Sequence, residues 1–457
     1  MKIVILGAGQ VGSSVAQGLA NEQNDITVVD RDPMLLAALQ DRFDIRVVAG
    51  EASHPEVLLS AGIEDADLVL AVTNSDETNM IACQVAYSLY RTPIRLARVR
   101  AGGYLAHPEL FVNDGIPIDF LISPEALVTD FVRQLIEYPG TLQILEFGGG
   151  RAQLVVVRVQ TGASLVGKAL RDLHTAAPHV EIRVVAIYRR GTAVVPDADT
   201  TIEADDEVIF LAAGRDVPQW VNAFRRPERA NRRVMIAGGG NIGARLAQQI
   251  EHAYRVKMIE HDGARARQLA ESLHHTIVLR GDAADETLLI EEDIADTDVF
   301  CALTNDDEAN ILSAMLAKQL GALRAISIVN RPSYVDIAQG AAVDIAVSPA
   351  QVTIGALLTH VRRGDVVAVH ALRRGAAEVI EIIAHGDKDT SQVVGRCIAD
   401  IPLPPSAVVG GLLRGEQLLL AHGETVIEPQ DHVIVFLADK RQVAEVERLF
   451  RVAITFV

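Results

Sequence analysis

Two glycine-rich stretches have the spacing of a phosphate-binding turn: Gly7, Gly9 and Gly12 in GAGQVG, and Gly238, Gly240 and Gly243 in GGGNIG. In that pattern the first glycine allows a tight turn and the second lets backbone approach a pyrophosphate. The third lets a helix pack on the preceding strand. Asp30 stands 18 residues after Gly12, where a carboxylate accepts hydrogen bonds from a ribose diol and disfavours a 2′-phosphate. The first loop therefore reads as a site for NAD rather than NADP. Glu260, 17 residues after Gly243, keeps the acid in the second. Gln10 and Val11, and Asn241 and Ile242, fill the loops and are counted with the cofactor-binding residues.

Further along each copy come Thr73-Asn74-Ser75-Asp76 and Thr304-Asn305-Asp306-Asp307, each opening a helix that contains Asn79 or Asn310. Asp76 and Asp307 read as N-caps, whose side chains satisfy free N–H groups, while Asn74 and Asn305 are placed to face a cofactor. Arg98 and Arg100 follow the next apolar run. They are either bidentate phosphate ligands or solvated surface charges. The second copy has Ile328 and Asn330 there, so the two sites are expected to differ in affinity or ligand.

These loops need strands and helices to hold them. Each half alternates short β-branched runs with helical patterns (ITVVD, PMLLAALQDRF, IRVVAG, LVLAVT, then IRLARV) over its first 130 or so residues, the order of an α/β doubly wound parallel sheet, a Rossmann-like fold. The rest of each half reads as a small α+β lobe: LQILEFGGGRAQLVVVRVQ as two strands around a glycine turn, a short helix near Gly167 to Leu173, then EIRVVAIYR and DEVIFLA. Residues 214–233 are charged and broken by proline, and read as a linker.

The halves are copies. At an offset of 231 residues GAGQVG falls on GGGNIG, AGEASHPEVL on RGDAADETLL and AVTNSDETNM on ALTNDDEANI; after a small slip IDFLISPEAL faces VDIAVSPAQV. The expected domains are 1–135 and 226–360 for the Rossmann units and 136–225 and 361–457 for the small lobes.

Composition narrows the function. A net charge of -18 excludes a nucleic-acid surface as the main business of the chain. Cys83, Cys301 and Cys397 lie far apart and form neither a disulfide framework nor a zinc site. The start runs directly into a strand, and no stretch of about 18 apolar residues occurs, so a cytoplasmic protein without an export leader or its own membrane span is expected. His54, His174 and His261 are scattered and form no acid–base constellation of the kind a dehydrogenase needs. The residues describe binding without evident chemistry, and an NAD-dependent oxidoreductase with an unidentified substrate is the alternative.

The GAGQVG unit with VVD, the T-N-x-D-x-x-N segment, ARVR, IDFLISPE and the LVGKALRDL lobe, all present twice, resemble the TrkA family. Its members are the peripheral NAD-binding subunits of Trk potassium uptake systems, built from two RCK (KTN) units each followed by a TrkA-C lobe. The resemblance covers essentially the whole chain. It implies a non-enzymatic cytoplasmic regulator forming a homotetrameric ring on the inner face of the membrane, beneath a K⁺-translocating subunit of TrkH or TrkG type, with NAD(H) and ATP or ADP gating K⁺ flow. By position it assigns Gly7, Gly9, Gly12, Asp30, Thr73 and Arg98 to the first site and Gly238, Gly240, Gly243, Glu260 and Thr304 to the second. Glu51 and Asp282 fall at the adenine side.

Overall fold

The computed structural model describes residues 1–20, 24–112, 114–173, 180–194, 196–225, 232–340, 343–361, 366–372 and 377–452. His174 lies outside them.

The first sheet is built from β1 (Lys2–Leu6), β2 (Asp25–Asp30), β3 (Arg46–Ala49), β4 (Leu68–Ala71), β5 (Ile94–Arg98) and β6 (Phe120–Ile122) in the order β3-β2-β1-β4-β5-β6. All neighbouring strands run parallel. A parallel sheet is covered on both faces, so its strands must be apolar throughout. Leu68–Ala71 is accordingly buried at every residue, and β1 at all but Lys2. Helices α1 (Gln10–Ala20), α2 (Pro33–Gln40), α3 (Pro55–Ser60) and α4 (Asp76–Tyr90) make the crossovers, followed by the short α5 (Gly102–Leu105). Helix α1 turns Gly12, Val15, Ala16 and Leu19 inward at helical spacing.

The second parallel sheet repeats the first as β14-β13-β12-β15-β16-β17. Its strands are β12 (Arg233–Ala237), β13 (Arg255–Glu260), β14 (Ile277–Arg280), β15 (Val299–Ala302), β16 (Arg324–Ile328) and β17 (Ile345–Val347).

Two antiparallel sheets complete the fold. One is ordered β10-β9-β11-β8-β7, from β7 (Thr141–Phe147), β8 (Ala152–Arg158), β9 (Arg183–Arg189), β10 (Thr192–Val194) and β11 (Glu207–Ala213). The other is ordered β18-β19-β22-β20-β21, from β18 (Val366–Leu372), β19 (Ala377–Ile383), β20 (Ala407–Arg414), β21 (Gln417–Leu420) and β22 (His432–Leu437). Each lobe repeats one bidentate pair, Arg189 on Asp206 and Arg414 on Asp431, with the aspartates 1% exposed. A fork-to-fork geometry compensates a carboxylate withdrawn from water. Phe147, Leu154 and Val156 of the first lobe share one core with Val379, Leu413 and Phe436 of the second.

One feature departs from the sequence reading. The segment 214–233 is no simple linker: Val217–Ala223 is a helix whose Val217, Trp220 and Val221 are buried in the core of the first small lobe, with Phe224 beside them. Burying a tryptophan outweighs the flanking charges. Compactness divides the chain into two units. One unit holds residues 1–129 with 328–337 and 347–357; the other holds 130–327, 338–346 and 358–457. Most of helix Pro349–Val361 thus belongs with the first sheet, where Ile354 stands 3.5 Å from the Cβ position of Gly18. The C-terminal part of α6 (Pro124–Glu137) belongs to the other unit, where Asp130 accepts from Gln249 at 3.1 Å.

One half-buried histidine gives this fold a pH response. His370 on β18 meets the Phe147 ring edge-on at 5.1 Å, and burial lowers its pKa from 6.5 to about 4. The unfolded chain therefore protonates first. The contribution of His370 to stability is complete above about 6.5 and is lost progressively as pH drops from 6.5 to 4. His370→Gln removes that slope in thermal melts across the window.

Candidate nucleotide sites

In a doubly wound sheet a ligand lies at the carboxyl ends of the strands where the order reverses. That point is between β1 and β4 in the first sheet and between β12 and β15 in the second.

At the first, Gly7 has φ +109, a conformation open to glycine, and its N–H donates to Val29 O at 2.7 Å. A Cβ on Gly12 would stand 1.8 Å from Gly7 O, so helix and loop approach as only glycine permits. A Cβ on Gly9 would meet nothing within 4 Å. The loop is therefore tight beneath and open above, the shape that admits a pyrophosphate against backbone at a helix N-terminus. Asp30 reaches this loop: Oδ2 accepts from Ala8 N at 2.6 Å and Oδ1 from Asp32 N at 2.9 Å. Gln10 donates to Asn330 O at 3.3 Å, and Val11 is half-buried.

The second site repeats this arrangement. Gly238 has φ +100, a Cβ on Gly243 would stand 2.0 Å from Gly238 O, and Gly240 has open space above it. Glu260 accepts from Gly239 N at 2.7 Å and Asp262 N at 2.8 Å. Asn241 is exposed and Ile242 half-buried.

The loops after β4 and β15 are held by Asn79 and Asn310, both fully buried. Asn79 Oδ1 accepts from Thr73 N at 2.9 Å and Thr73 Oγ1 at 2.7 Å, while Nδ2 donates to Thr73 O at 3.3 Å and Arg98 O at 2.9 Å. Asn310 binds Thr304 through the corresponding N, Oγ1 and O at 2.9, 2.6 and 3.0 Å. Thr73 and Thr304 are thus half-buried parts of the frame, and Asn74 and Asn305 are the exposed residues beside them. Asn79→Ala strands buried backbone groups and costs about 3 kcal/mol, a loss readable in thermal unfolding.

The N-cap reading of Asp76 and Asp307 is corrected. Ser75 caps α4 through Thr78 N, and Asp306 caps helix Asp307–Gln319 through Ala309 N. Asp76, buried, instead accepts from Arg100 N at 2.9 Å and Ala101 N at 2.8 Å, and its carboxylate pairs with Arg100 Nε at 3.4 Å. Arg98 is no solvated charge. Its side chain is 17% exposed and pairs with Glu125, 20% exposed, at 2.9 Å. Arg98 Nε and Glu125 Oε2 are buried without a hydrogen-bond partner among the described residues. At the equivalent positions of the second half stand Ile328 and Ala350, both buried, so acid and base are lost together. That is the expected outcome, since a buried charge left alone is costly.

Glu51 is exposed, 4.0 Å from Arg31, and Asp282 is exposed with its carboxylate on Ala284 N at 2.9 Å. His54 sits at the N-cap position of α3 without a capping bond, and His261 is exposed.

Residues that sequence reasoning passed over include Glu125 and, at the second site, two cations. Arg265 Nε donates to Gly239 O at 2.9 Å, and Arg280 ends β14 in register with Glu260. Leu35 and Ala49 hold those positions in the first half, a difference visible when the halves are aligned.

Comparison with known proteins agrees with the doubled architecture. The TrkA-N domain family matches residues 3–124 and 234–349, and the TrkA-C domain family matches 154–224 and 388–451. The chain is 57% identical over 456 residues to the Trk system potassium uptake protein TrkA of Halomonas elongata, covering 100% of each. It is 54% identical over 452 residues to that of Vibrio alginolyticus, covering 99% of each. Among solved structures it is similar in fold to the GsuK channel bound to NAD, with a TM-score of 0.62 and 19% identity over 98% of this chain and 78% of that one. Among the described residues no helix is long and apolar enough to cross a membrane.

Proposed function

This chain belongs to the TrkA family of Trk system potassium uptake proteins, and from that membership we propose that it is a nucleotide-responsive regulatory subunit of a potassium uptake system. It binds NAD(H), and ATP or ADP, at its two glycine loops. Through them it gates K⁺ flow in a membrane-embedded partner of TrkH or TrkG type, from the cytoplasmic side and as a homotetrameric ring.

The observation that carries the reading is the latch built twice, in which Asp30 holds Ala8 N and Glu260 holds Gly239 N beside an open glycine. A bound nucleotide would supply a diol and phosphates. The chain's part is to receive them: the carboxylates accept from the diol, and the N-termini of α1 and helix Asn241–Ile250 offer N–H groups and positive potential to phosphate. Thr73 and Thr304, fixed by Asn79 and Asn310, set the opposite wall.

A ligand shifts a two-state ring only by its differential affinity for the two shapes, and a hundredfold preference supplies about 2.7 kcal/mol per site. The expected result is that calorimetric titration of the full chain with NADH gives two sites per chain. NADH absorbance then stays constant alongside candidate hydroxy and keto acid substrates. Steady consumption would favour an oxidoreductase, and absence of binding would overturn the proposal.

A further inference from the structure

We infer that the second nucleotide site, unlike the first, accepts an adenine dinucleotide carrying a 2′-phosphate. The inference rests on reading both glycine loops as nucleotide sites and concerns what separates them. The ribose acids do not, because Asp30 and Glu260 each accept the same two backbone N–H groups. The difference lies in the turn that follows the acid, where a phosphate on the 2′-oxygen would stand.

At the second site that turn is bracketed by two guanidinium groups. Arg265, in the first turn of helix Gly263–Ser272, is half-buried and held against the glycine loop through Gly239 O at 2.9 Å and against Gln268 at 2.9 Å. Arg280 comes from the neighbouring strand. Its Nε and Cζ lie 3.0 and 3.1 Å from the Cβ position of Gly263, a residue whose lack of a side chain makes room for the guanidinium over the turn. Asp262, between them, is held below its ordinary pKa chiefly by the N–H groups of Arg265 and Ala264, with the Arg280 charge adding to the effect.

The first site offers no such bracket. Leu35 and Ala49 replace the two arginines. The nearby cation, Arg31, is 70% exposed and lies 4.0 Å from Glu51. A phosphate monoester carries between one and two negative charges near neutrality, and arginine is the side chain that meets it in bidentate fashion. Both sites present two acids to such a group, Asp30 and Asp32 at the first and Glu260 and Asp262 at the second, but the first sets only the exposed Arg31 against them. At the second the phosphate would meet two guanidinium groups, Arg265 held against the glycine loop and Arg280 exposed over the turn beside Gly263.

The test uses full-length protein in two backgrounds. Gly240→Asp leaves the first site and Gly9→Asp leaves the second, and each is titrated calorimetrically with NADH and NADPH. The first site is expected to favour NADH over NADPH by about a hundredfold or more, and the second to hold the two within about tenfold. In the Gly9→Asp background, Arg265→Ala with Arg280→Ala weakens NADPH by about tenfold or more and leaves NADH within about threefold. If the second site binds NADH yet rejects NADPH as strongly as the first, the inference fails while the site reading stands. If the alanines weaken both nucleotides alike, the arginines shape the loop and do not read the phosphate, which also overturns it. If the Gly9→Asp protein, folded by circular dichroism, binds neither nucleotide, it is the reading of the second loop as a nucleotide site that fails.

Discussion

A chain carrying Gly9→Asp and Gly240→Asp together keeps the parent's thermal stability and loses nucleotide binding at both loops. A side chain at either position enters open space, with no atom within 4 Å of the Cβ. Gly240 is also the N-cap of helix Asn241–Ile250, and Gly9 O accepts the first bond of α1, from Ser13 N. Aspartate is favoured at such a position. The fold therefore tolerates the change. The new carboxylates occupy the face that a pyrophosphate must approach, add like charge and compete for the helix N–H groups, so affinity falls by about a hundredfold or more. Each single variant retains one site per chain. Calorimetry against NADH reads this, and unaltered stoichiometry in the double variant would mean that nucleotide binds elsewhere.

The second large effect is on stability. Gly12→Ala and Gly243→Ala place a methyl 1.8 and 2.0 Å from the carbonyl oxygens of Gly7 and Gly238. No rotamer relieves this, because the offending atom is Cβ itself and its neighbour is backbone. The helix must move off its strand, opening the contacts that Val15 and Leu19, both 1% exposed, make beneath the first sheet. A cost of about 3 kcal/mol is expected, seen as a lower unfolding temperature for the affected unit. Gly9→Ala changes it little. Equal effects at Gly9 and Gly12 would contradict the packing described.

Much of this structure is legible in the sequence because its signals are local. Runs such as KIVIL and LVLA can only be strands buried on both faces, and glycine spacing, following acid and tandem repeat fix both loops. What was not legible depends on distance or on a single residue. Trp220 lies among arginines and prolines, and only tertiary burial shows that its segment is a helix in a core. The N-cap moved by one residue from Asp76 to Ser75, since two adjacent polar side chains compete for the cap and the geometry of Arg100 and Ala101 takes the aspartate elsewhere. No periodicity links Arg98 to Glu125, 27 residues apart. The assignment of residues 347–357 to the unit of the first sheet is a non-local event that no local pattern carries. Arg265 and Arg280 were readable, because a comparison of the halves beyond the glycines sets them against Leu35 and Ala49.

The measurement that bears most directly on the central claim is initial Rb⁺ influx into K⁺-depleted cells that lack this protein and still express the membrane subunit. Influx is expected to collapse without the protein, to return when it is restored, and to respond abnormally when the restored copy carries Gly9→Asp and Gly240→Asp. Influx that is the same with and without the protein would contradict a role as the nucleotide-responsive regulator of potassium uptake.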